Sequence, residues 1–258
     1  MAIFAIVHTV YMKNIFLYVS LLLLAVSVTA MPSKRFAIAE NTIKPIKIIE
    51  VFDGRNSGTA SLTGKGENYI TNLKVTIKFK NYNPYEIYLE DGYSPYIETF
   101  DFGAADKLLF CSSQTGGSGG YGNYRIYSIK KTSYKLLYDD KTNSKNSGFS
   151  AVFKPNGFME ITNLSYKHTL DVYLNYIDTE FYNLIFAPDG TVTGEQPYVK
   201  EISFVAPALN SADGLYTLST YRPVSAIAEV NRLGYIVQTL NFDGYAFYPS
   251  FTEFSITF

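Results

Sequence analysis

The sequence has no tryptophan, one cysteine and two histidines among 258 residues, and each scarcity excludes a class of site. With Cys111 as the single cysteine, the chain forms no intrachain disulfide. Cys111, His8 and His168 are too few for a structural zinc site, which needs a complete tetrahedral set of Cys or His ligands. Cys111 stands in the apolar stretch KLLFCSS. We expect its thiol to be buried and inert, as free cysteines usually are.

The chain also lacks an excess of charge of one sign, because 22 basic and 23 acidic residues give a formal net charge of −1. Without an excess of positive charge, the protein has no electrostatic attraction for the phosphates of a nucleic acid, so we expect no nucleic-acid partner. Aromatic residues are abundant, with 23 tyrosines and 19 phenylalanines. These residue types favour half-buried pleated surfaces. The length suits one large all-β domain or two small ones.

The N-terminus has the order of a secretory signal peptide. Lys13 precedes the apolar run of residues 15–26, and Val28 and Ala30 occupy the small-residue positions of a cleavage site. The run is shorter than the roughly 20 residues of a membrane-spanning helix, so an uncleaved anchor is the less favoured alternative. We therefore expect a secreted protein that has no membrane span after cleavage.

Three segments follow along the chain. Residues 1–30 are the predicted signal peptide, within which Met12 is a more natural start than Met1. Residues 31–42 are a flexible lead-in. Residues 43–258 are an all-β domain, because short runs in which apolar and polar residues alternate fill this segment. No run keeps the apolar spacing of an amphipathic helix.

Turn signals and a faint internal repeat indicate how the strands are arranged. Asp189-Gly190 and Asp243-Gly244 stand between apolar runs, which is typical of tight hairpins. Residues 106–137 and 213–247 share the order strand, long loop, aromatic strand, turn and strand. Units of roughly 40 residues with about four strands are typical of propeller blades. We predict a propeller-like array of short antiparallel strands, with a two-sheet β-sandwich as the alternative.

Residues 106–129 and 213–251 resemble the secreted VCBS and FG-GAP-type repeat proteins of Gram-positive bacteria. The resemblance implies an extracytoplasmic, propeller-like, non-catalytic domain with Asp-rich calcium loops. Such loops need several converging oxygens. The corresponding stretches of this chain have lost carboxylates and keep Asp101, Asp106, Asn210 and Asp213. We therefore expect at most weak calcium binding there and no other cofactor.

The glycine-rich stretch QTGGSGGYGN, residues 114–123, formally matches the dinucleotide fingerprint GxGxxG. That fingerprint works because a helix follows it, whose N-terminal N–H groups face the pyrophosphate. Here the strand-like run NYRIYSIK follows, so we interpret the stretch as a loop between strands whose glycines permit positive φ. Tyr121 and Tyr124 border the loop and are candidate contact residues.

Catalytic patterns are incomplete. The stretch GGSGG matches G-x-S-x-G, and Ser118, His168 and Asp171 supply the residue types of a serine triad. A nucleophile elbow also needs a helix after the serine, and the pattern predicts none. Glycosidase carboxylate pairs meet in space and not in sequence. We predict a secreted or cell-surface, non-catalytic binding protein whose partner is a cell-wall glycan or an extracellular protein. The alternative is a secreted hydrolase acting on glycans or esters.

Overall fold

The structure is a computed structural model that describes residues 44–117, 120–228 and 230–256. The predicted signal peptide and lead-in lie outside the described residues. Ile43–Phe258 forms one compact unit. Its described part contains 16 strands in three antiparallel sheets and two short helices.

The first sheet is antiparallel, and its eight strands have the bounds β1 Lys47–Asp53, β2 Asn56–Lys65, β3 Tyr69–Phe79, β4 Tyr85–Tyr88, β5 Gly92–Phe100, β6 Leu108–Gln114, β7 Gly122–Ile129 and β8 Tyr134–Asp139. The order is β1-β2-β3-β5-β6-β7-β8, and β4 also pairs with β3. The sheet curls, since Lys47 Nζ of β1 lies 2.9 Å from Glu98 Oε2 of β5. Both halves of the sheet bury their apolar side chains in one core.

Helix α1 (Asp140–Asn146) follows β8 directly. Asp139 is its N-cap, and the carboxylate accepts a hydrogen bond of 2.9 Å from Thr142 N. The second sheet comes next and consists of β9 (Phe149–Lys154), β10 (Phe158–Asn163) and β11 (Thr169–Tyr173), in the order β11-β10-β9. Its alternation places every second side chain on the face that packs against the third sheet.

Helix α2 (Thr179–Ile185) is a correction, because the sequence predicts only short strands in this part of residues 43–258. The Asp178 side chain caps the helix by accepting a hydrogen bond of 2.8 Å from Phe181 N. That cap satisfies an N–H group at the start of the helix, and Ile185 and Phe186 are buried at its end. Neither described helix is long and apolar enough to cross a membrane.

The third sheet is antiparallel and consists of β12 (Tyr198–Val199), β13 (Phe204–Leu209), β14 (Tyr216–Ser225), β15 (Arg232–Phe242) and β16 (Phe247–Ser255). Its order is β12-β14-β15-β16, and β13 also pairs with β14. The predicted turn at Asp243-Gly244 joins β15 to β16, as expected. The other predicted turn, at Asp189-Gly190, lies between the single bridged pair Phe186 and Val192 and joins no long strands.

The predicted all-β fold of short antiparallel strands is confirmed. The two similar stretches fold as the meanders β6-β7-β8 and β14-β15-β16, which explains their common order of strands and turns. The described strands form sheets of eight, three and five strands and show no closed ring of four-stranded blades. Sheets that pack face to face are compatible with the sandwich alternative.

One face of the third sheet packs against both other sheets. At one end of its strands, Leu218 and Leu240 join a core with the first sheet. At the other end, Val224 and Ile236 join a core with the second sheet and α2. Between these two apolar groups the same face carries three buried polar side chains, which we call the polar layer: Thr220, Arg222 and Gln238.

Candidate functional site

A cavity of about 370 Å³ opens between the second and third sheets. On one side it is bounded by β10 and the turn that joins β10 to β11, and on the other by β15 and β16. Its volume lies within the range of roughly 300–1,000 Å³ that is usual for small-ligand sites. We call it the inter-sheet pocket and take it as the candidate site.

The floor of the inter-sheet pocket combines an aliphatic side chain with two carboxamides. Ile161, Asn163 and Gln238 line it and are at most 6% exposed. Ile161 and Asn163 lie two positions apart on β10, so the alternation of the strand places both on its inner face. Gln238 comes from the central strand β15, where it lies between Thr220 of β14 and Thr252 of β16.

Less buried side chains form the walls and the rim. The walls are Phe149, Leu170, Pro249 and Thr252. The rim residues are exposed and comprise Tyr166, His168, Thr169, Ser250 and Phe251. Tyr166 belongs to the β10–β11 turn and Phe251 to β16, and they are 55% and 59% exposed. Each of the two facing sheets therefore brings an aromatic ring to the mouth of the pocket.

Asn163 links the floor of the pocket to its rim. Its Oδ1 accepts hydrogen bonds from the backbone N–H groups of Ser165 and Tyr166, at 3.0 and 3.1 Å. The backbone N–H of Asn163 donates a hydrogen bond of 2.8 Å to the backbone carbonyl of His168. The turn closes through Lys167, whose φ of +57° is in the left-handed region. The floor residue thus fixes the turn that carries Tyr166 and His168.

A β-bulge shapes the opposite side of the mouth. Thr239 of β15 lies opposite Phe251, while Leu240 lies opposite Pro249, so Ser250 is an extra residue in β16. The Ser250 hydroxyl donates to the carbonyl of Thr239 at 3.1 Å. Because β16 is an edge strand, Pro249 is tolerated there. The bulge changes the direction of β16 where Phe251 reaches the rim.

Gln238 carries an unsatisfied polar atom at the floor. Its Oε1 is buried and accepts no hydrogen bond, while its Nε2 lies 3.5 Å from Thr252 Oγ1. A buried acceptor without a donor is uncommon in native proteins and calls for a specific explanation. Gln238 is itself one of the residues that line the adjoining cavity.

None of the described lining residues of the pocket carries a carboxylate, ammonium or guanidinium group, and the imidazole of His168 lies at the exposed rim. A buried charge lies behind one wall, where Arg222 Cζ is 5.7 Å from the centre of the Phe149 ring. The guanidinium donates to carbonyl and hydroxyl groups at the end of α1. Burial lowers the pKa of Arg222 to about 10. Because Arg222 is not among the lining residues, its charge is not offered to a ligand.

The two tyrosines predicted as contact residues lie in different environments. Tyr124 is 1% exposed, and its ring centroid lies 6.3 Å from that of Phe110 and 5.9 Å from that of Phe204. It is a core residue between the first and third sheets, so its ring offers no contact surface. Tyr121 is half-buried in the loop before β7, and neither tyrosine lines the inter-sheet pocket.

The glycine-rich stretch connects two strands, as predicted, because β6 ends at its first residue, Gln114, and β7 begins at Gly122. Gly120 has a φ of +68°, the left-handed conformation that glycine was expected to permit. Gly122 is needed for a different reason, since a Cβ there would lie 2.5 Å from the Tyr124 hydroxyl. Without a helix after the loop, no row of N–H groups is available to a pyrophosphate.

The residues of the hypothetical serine triad are not shown together. Ser118 lies outside the described residues. His168 is at the pocket rim, whereas Asp171 is exposed on β11 opposite Glu160 of β10. In the described structure no hydrogen bond joins the side chains of His168 and Asp171.

The residues of the predicted calcium-type loops are engaged in other contacts. Asp101 accepts a hydrogen bond from a backbone N–H, and Asp106 accepts one from a backbone N–H and one from Lys130 Nζ. Asp213 accepts hydrogen bonds from a backbone N–H and from Asn210 Nδ2. The described residues contain no group of three or more His, Cys, Asp or Glu side chains placed to hold a metal.

Cys111 lies in β6 and is 2% exposed, so its predicted burial is confirmed. It belongs to the core of the first sheet. Burial raises the pKa of its thiol, which keeps the thiol in the neutral, unreactive form.

Sequence reasoning named only His168 among the residues of the inter-sheet pocket. A signal for Gln238 was nevertheless present in the run YIVQTLNF. Ile236, Gln238 and Leu240 share one face of a strand, so a polar side chain interrupts an otherwise apolar face. Such an interruption predicts either a buried polar contact or a ligand site.

The comparison with known families concerns the part of the chain that builds the pocket. A family model described as the YybI C-terminal domain matches residues 147–255. This segment spans the second and third sheets and α2, and it contains every lining residue of the inter-sheet pocket. No curated protein and no solved structure is detectably similar to the chain. The resemblance to VCBS and FG-GAP repeats stays a prediction.

Proposed function

We propose that this protein is an exported, non-catalytic binding protein whose inter-sheet pocket takes a neutral glycan of the cell wall. The observation that carries the proposal is the lining of the pocket, which combines buried carboxamides with hydroxyl groups and two exposed aromatic rings. Uncharged polar groups pair with sugar hydroxyls, while aromatic rings cover the apolar faces of sugar rings. The described lining contains no carboxylate, ammonium or guanidinium group that would select a cation or an anion.

The lining favours binding over hydrolysis. A glycosidase needs two carboxyl groups on either side of the scissile bond, and the described lining residues contain none. A serine hydrolase needs a serine that is held by the histidine. The one serine of the lining, Ser250, donates its hydroxyl to the Thr239 carbonyl and not to His168.

Export is supported by the order of Lys13, the apolar run of residues 15–26 and the small residue Ala30. We expect a bacterial secretion host to release a chain that begins near Met31. N-terminal sequencing of the protein in the culture medium measures this. Recovery of a released chain that still carries its first 30 residues would contradict cleavage, and retention of all protein in the cell would contradict export.

Binding is tested with soluble β-1,4-linked oligomers of glucose and of N-acetylglucosamine in isothermal titration calorimetry. We expect at least one of the two series to bind the wild-type protein. Replacing both Tyr166 and Phe251 with alanine should weaken that binding by about 10- to 100-fold. Each aromatic contact contributes on the order of 1 kcal/mol, and 1.4 kcal/mol corresponds to tenfold.

Tyr245→Ala is the matched control. Tyr245 is 78% exposed in the β15–β16 turn and does not line the pocket. Its truncation removes an exposed ring without altering the proposed site, so the affinity should not change. Equal losses in the control and in the double variant would show that the rim rings have no specific role. If neither oligomer series binds the wild-type protein, the proposed function is wrong.

A further inference from the structure

We infer that the inter-sheet pocket selects sugars that carry an N-acetyl group, and that this group enters first and meets the floor. The inference rests on the proposed function, since it names the substituent of the glycan that the pocket recognises. It is carried by the combination of Ile161, Asn163 and Gln238, the three most buried side chains of the lining.

The unsatisfied acceptor sets the first requirement for the ligand. Gln238 Oε1 is buried without a hydrogen-bond donor, so it lowers the stability of the empty protein. A ligand group that donates an N–H or O–H to this oxygen removes the penalty. The same carboxamide has its Nε2 beside Thr252 Oγ1, at 3.5 Å, which is long for a hydrogen bond.

The aliphatic part of the floor sets the second requirement. Ile161 is 2% exposed and lines the pocket together with the carboxamides. A sugar hydroxyl against Ile161 gains no apolar contact, and a polar group that is buried there without a partner is destabilised. An acetamido group carries an N–H donor, a carbonyl acceptor and a methyl group, which together match two carboxamides and one aliphatic side chain.

Charge sets the third requirement. The ammonium group of a deacetylated amino sugar would find no carboxylate among the described lining residues, and the carboxylate of a uronic acid would find no lysine or arginine there. Burying an unpaired charge is strongly unfavourable. The neutral acetamido group is therefore favoured over both charged substituents.

The selectivity is measured with two tetrasaccharides that differ only in this substituent. Chitotetraose carries an acetamido group on each ring, and cellotetraose carries a hydroxyl group in its place. We expect the wild-type protein to bind chitotetraose at least tenfold more tightly than cellotetraose in calorimetry. Deacetylated chitotetraose should bind no better than cellotetraose.

Gln238→Met tests the role of the floor acceptor, because methionine has a similar size and no amide. We expect its affinity for chitotetraose to fall at least tenfold, and the ratio of its affinities for chitotetraose and cellotetraose to fall below that of the wild type. The melting temperature of the ligand-free variant should equal or exceed that of the wild type. Gln238→Leu serves as a second apolar variant should the first fail to fold.

Gln196→Met is the matched control for a purely structural glutamine. Gln196 does not line the pocket, and its Oε1 accepts a hydrogen bond of 2.8 Å from Phe153 N. This variant should lower the melting temperature and leave the affinity for chitotetraose unchanged. If Gln238→Met behaved in the same way as this control, Gln238 would be a structural residue and the inference would be wrong.

The outcomes separate the inference from the proposed function. Equal affinities for chitotetraose and cellotetraose would overturn the inference while the proposed function stands. The absence of binding by both would overturn the proposed function as well. A peptide with N-acetyl-lysine that binds as tightly as chitotetraose would also overturn the inference, because the pocket would then recognise the acetamido group without the sugar.

Discussion

Replacing Arg222 with alanine is expected to destabilise the protein by about 2–3 kcal/mol. The guanidinium donates to Ser147 Oγ at 2.8 Å and to the carbonyls of Asn143 and Ser144 at 3.3 and 3.4 Å. Alanine removes these donors and leaves a cavity in the polar layer. Hydrogen bonds to a charged group are worth roughly 1.5–3 kcal/mol each, and the cavity adds to the loss.

One effect opposes this loss. Burial lowers the pKa of Arg222 to about 10, which shows that the surroundings favour the uncharged form relative to water. Removing the charge therefore recovers part of the cost of burying it, and for this reason the estimate stays below the sum of the lost hydrogen bonds. The carbonyls at the C-terminal end of α1 offset the rest of the cost, because that end of a helix favours a cation.

Urea denaturation of the wild type and the variant measures the change in the free energy of unfolding. Arg55→Ala is the control, since Arg55 is exposed in the β1–β2 turn and the same chemical change there should alter stability by no more than about 0.5 kcal/mol. Faster amide hydrogen exchange at Ser147, whose N–H donates to the Asn143 carbonyl, should accompany the loss. A midpoint for Arg222→Ala equal to that of Arg55→Ala would contradict the prediction.

Arg222 illustrates why part of this architecture could not be read from the sequence. The run YTLSTYRPVS alternates well enough to predict a strand, and β14 is one. Nothing local shows that Thr220 and Arg222 point into the interior and not to solvent. The burial of Arg222 depends on α1, whose contacting carbonyl groups are 78 and 79 residues away in the chain and reach this face only in the folded protein.

The strands were predictable where alternation is regular and a turn signal separates the runs. β15 and β16 meet both conditions, with Asp243-Gly244 between them. The two helices were not predictable from periodicity, since each is only seven residues long. Their signals are the caps Asp139 and Asp178, which local side-chain hydrogen bonds reveal only after folding.

The candidate site was mostly hidden for a topological reason. Its floor brings together Ile161 and Asn163 from one sheet and Gln238 from another. Sequence patterns report which residues alternate within a strand but not which sheet faces which. The glycine-rich loop attracted attention because its motif is local, whereas the pocket depends on segments that are about 75 residues apart or more.

Replacing Asp140 with asparagine is expected to stabilise the protein by about 2 kcal/mol at pH 8 and to leave its stability unchanged at pH 4. Asp140 lies in the first turn of α1 and is 5% exposed, and its Oδ1 accepts a hydrogen bond of 2.8 Å from Tyr124 N. Burial, with a smaller contribution from the charge of Asp139, raises the pKa of Asp140 to about 6. Asparagine keeps the acceptor and removes the charge.

The direction in which stability changes with pH follows from the linkage between proton binding and folding. The folded-state pKa lies above the unfolded value of 3.8, so the folded protein binds the proton more tightly than the unfolded chain does. The contribution of Asp140 to stability is therefore present below about pH 4 and is lost as the pH rises through about 6. The difference between the folded-state pKa of about 6 and the unfolded value of 3.8 corresponds to roughly 3 kcal/mol of stability. The lost interaction of the carboxylate with the helix N-terminus offsets up to about 1 kcal/mol.

Urea denaturation of wild type and Asp140→Asn at several values between pH 4 and pH 8 measures the difference in the free energy of unfolding. Using the difference cancels the titration of all other groups, including Asp139, for which burial is outweighed by hydrogen bonds from Thr142 and Arg125 that lower its pKa. Asp171→Asn is the control for the same substitution at an exposed position, on β11. A difference for Asp140→Asn that does not change with pH would show that the carboxyl group beneath Tyr124 is solvated and not held at the buried start of α1.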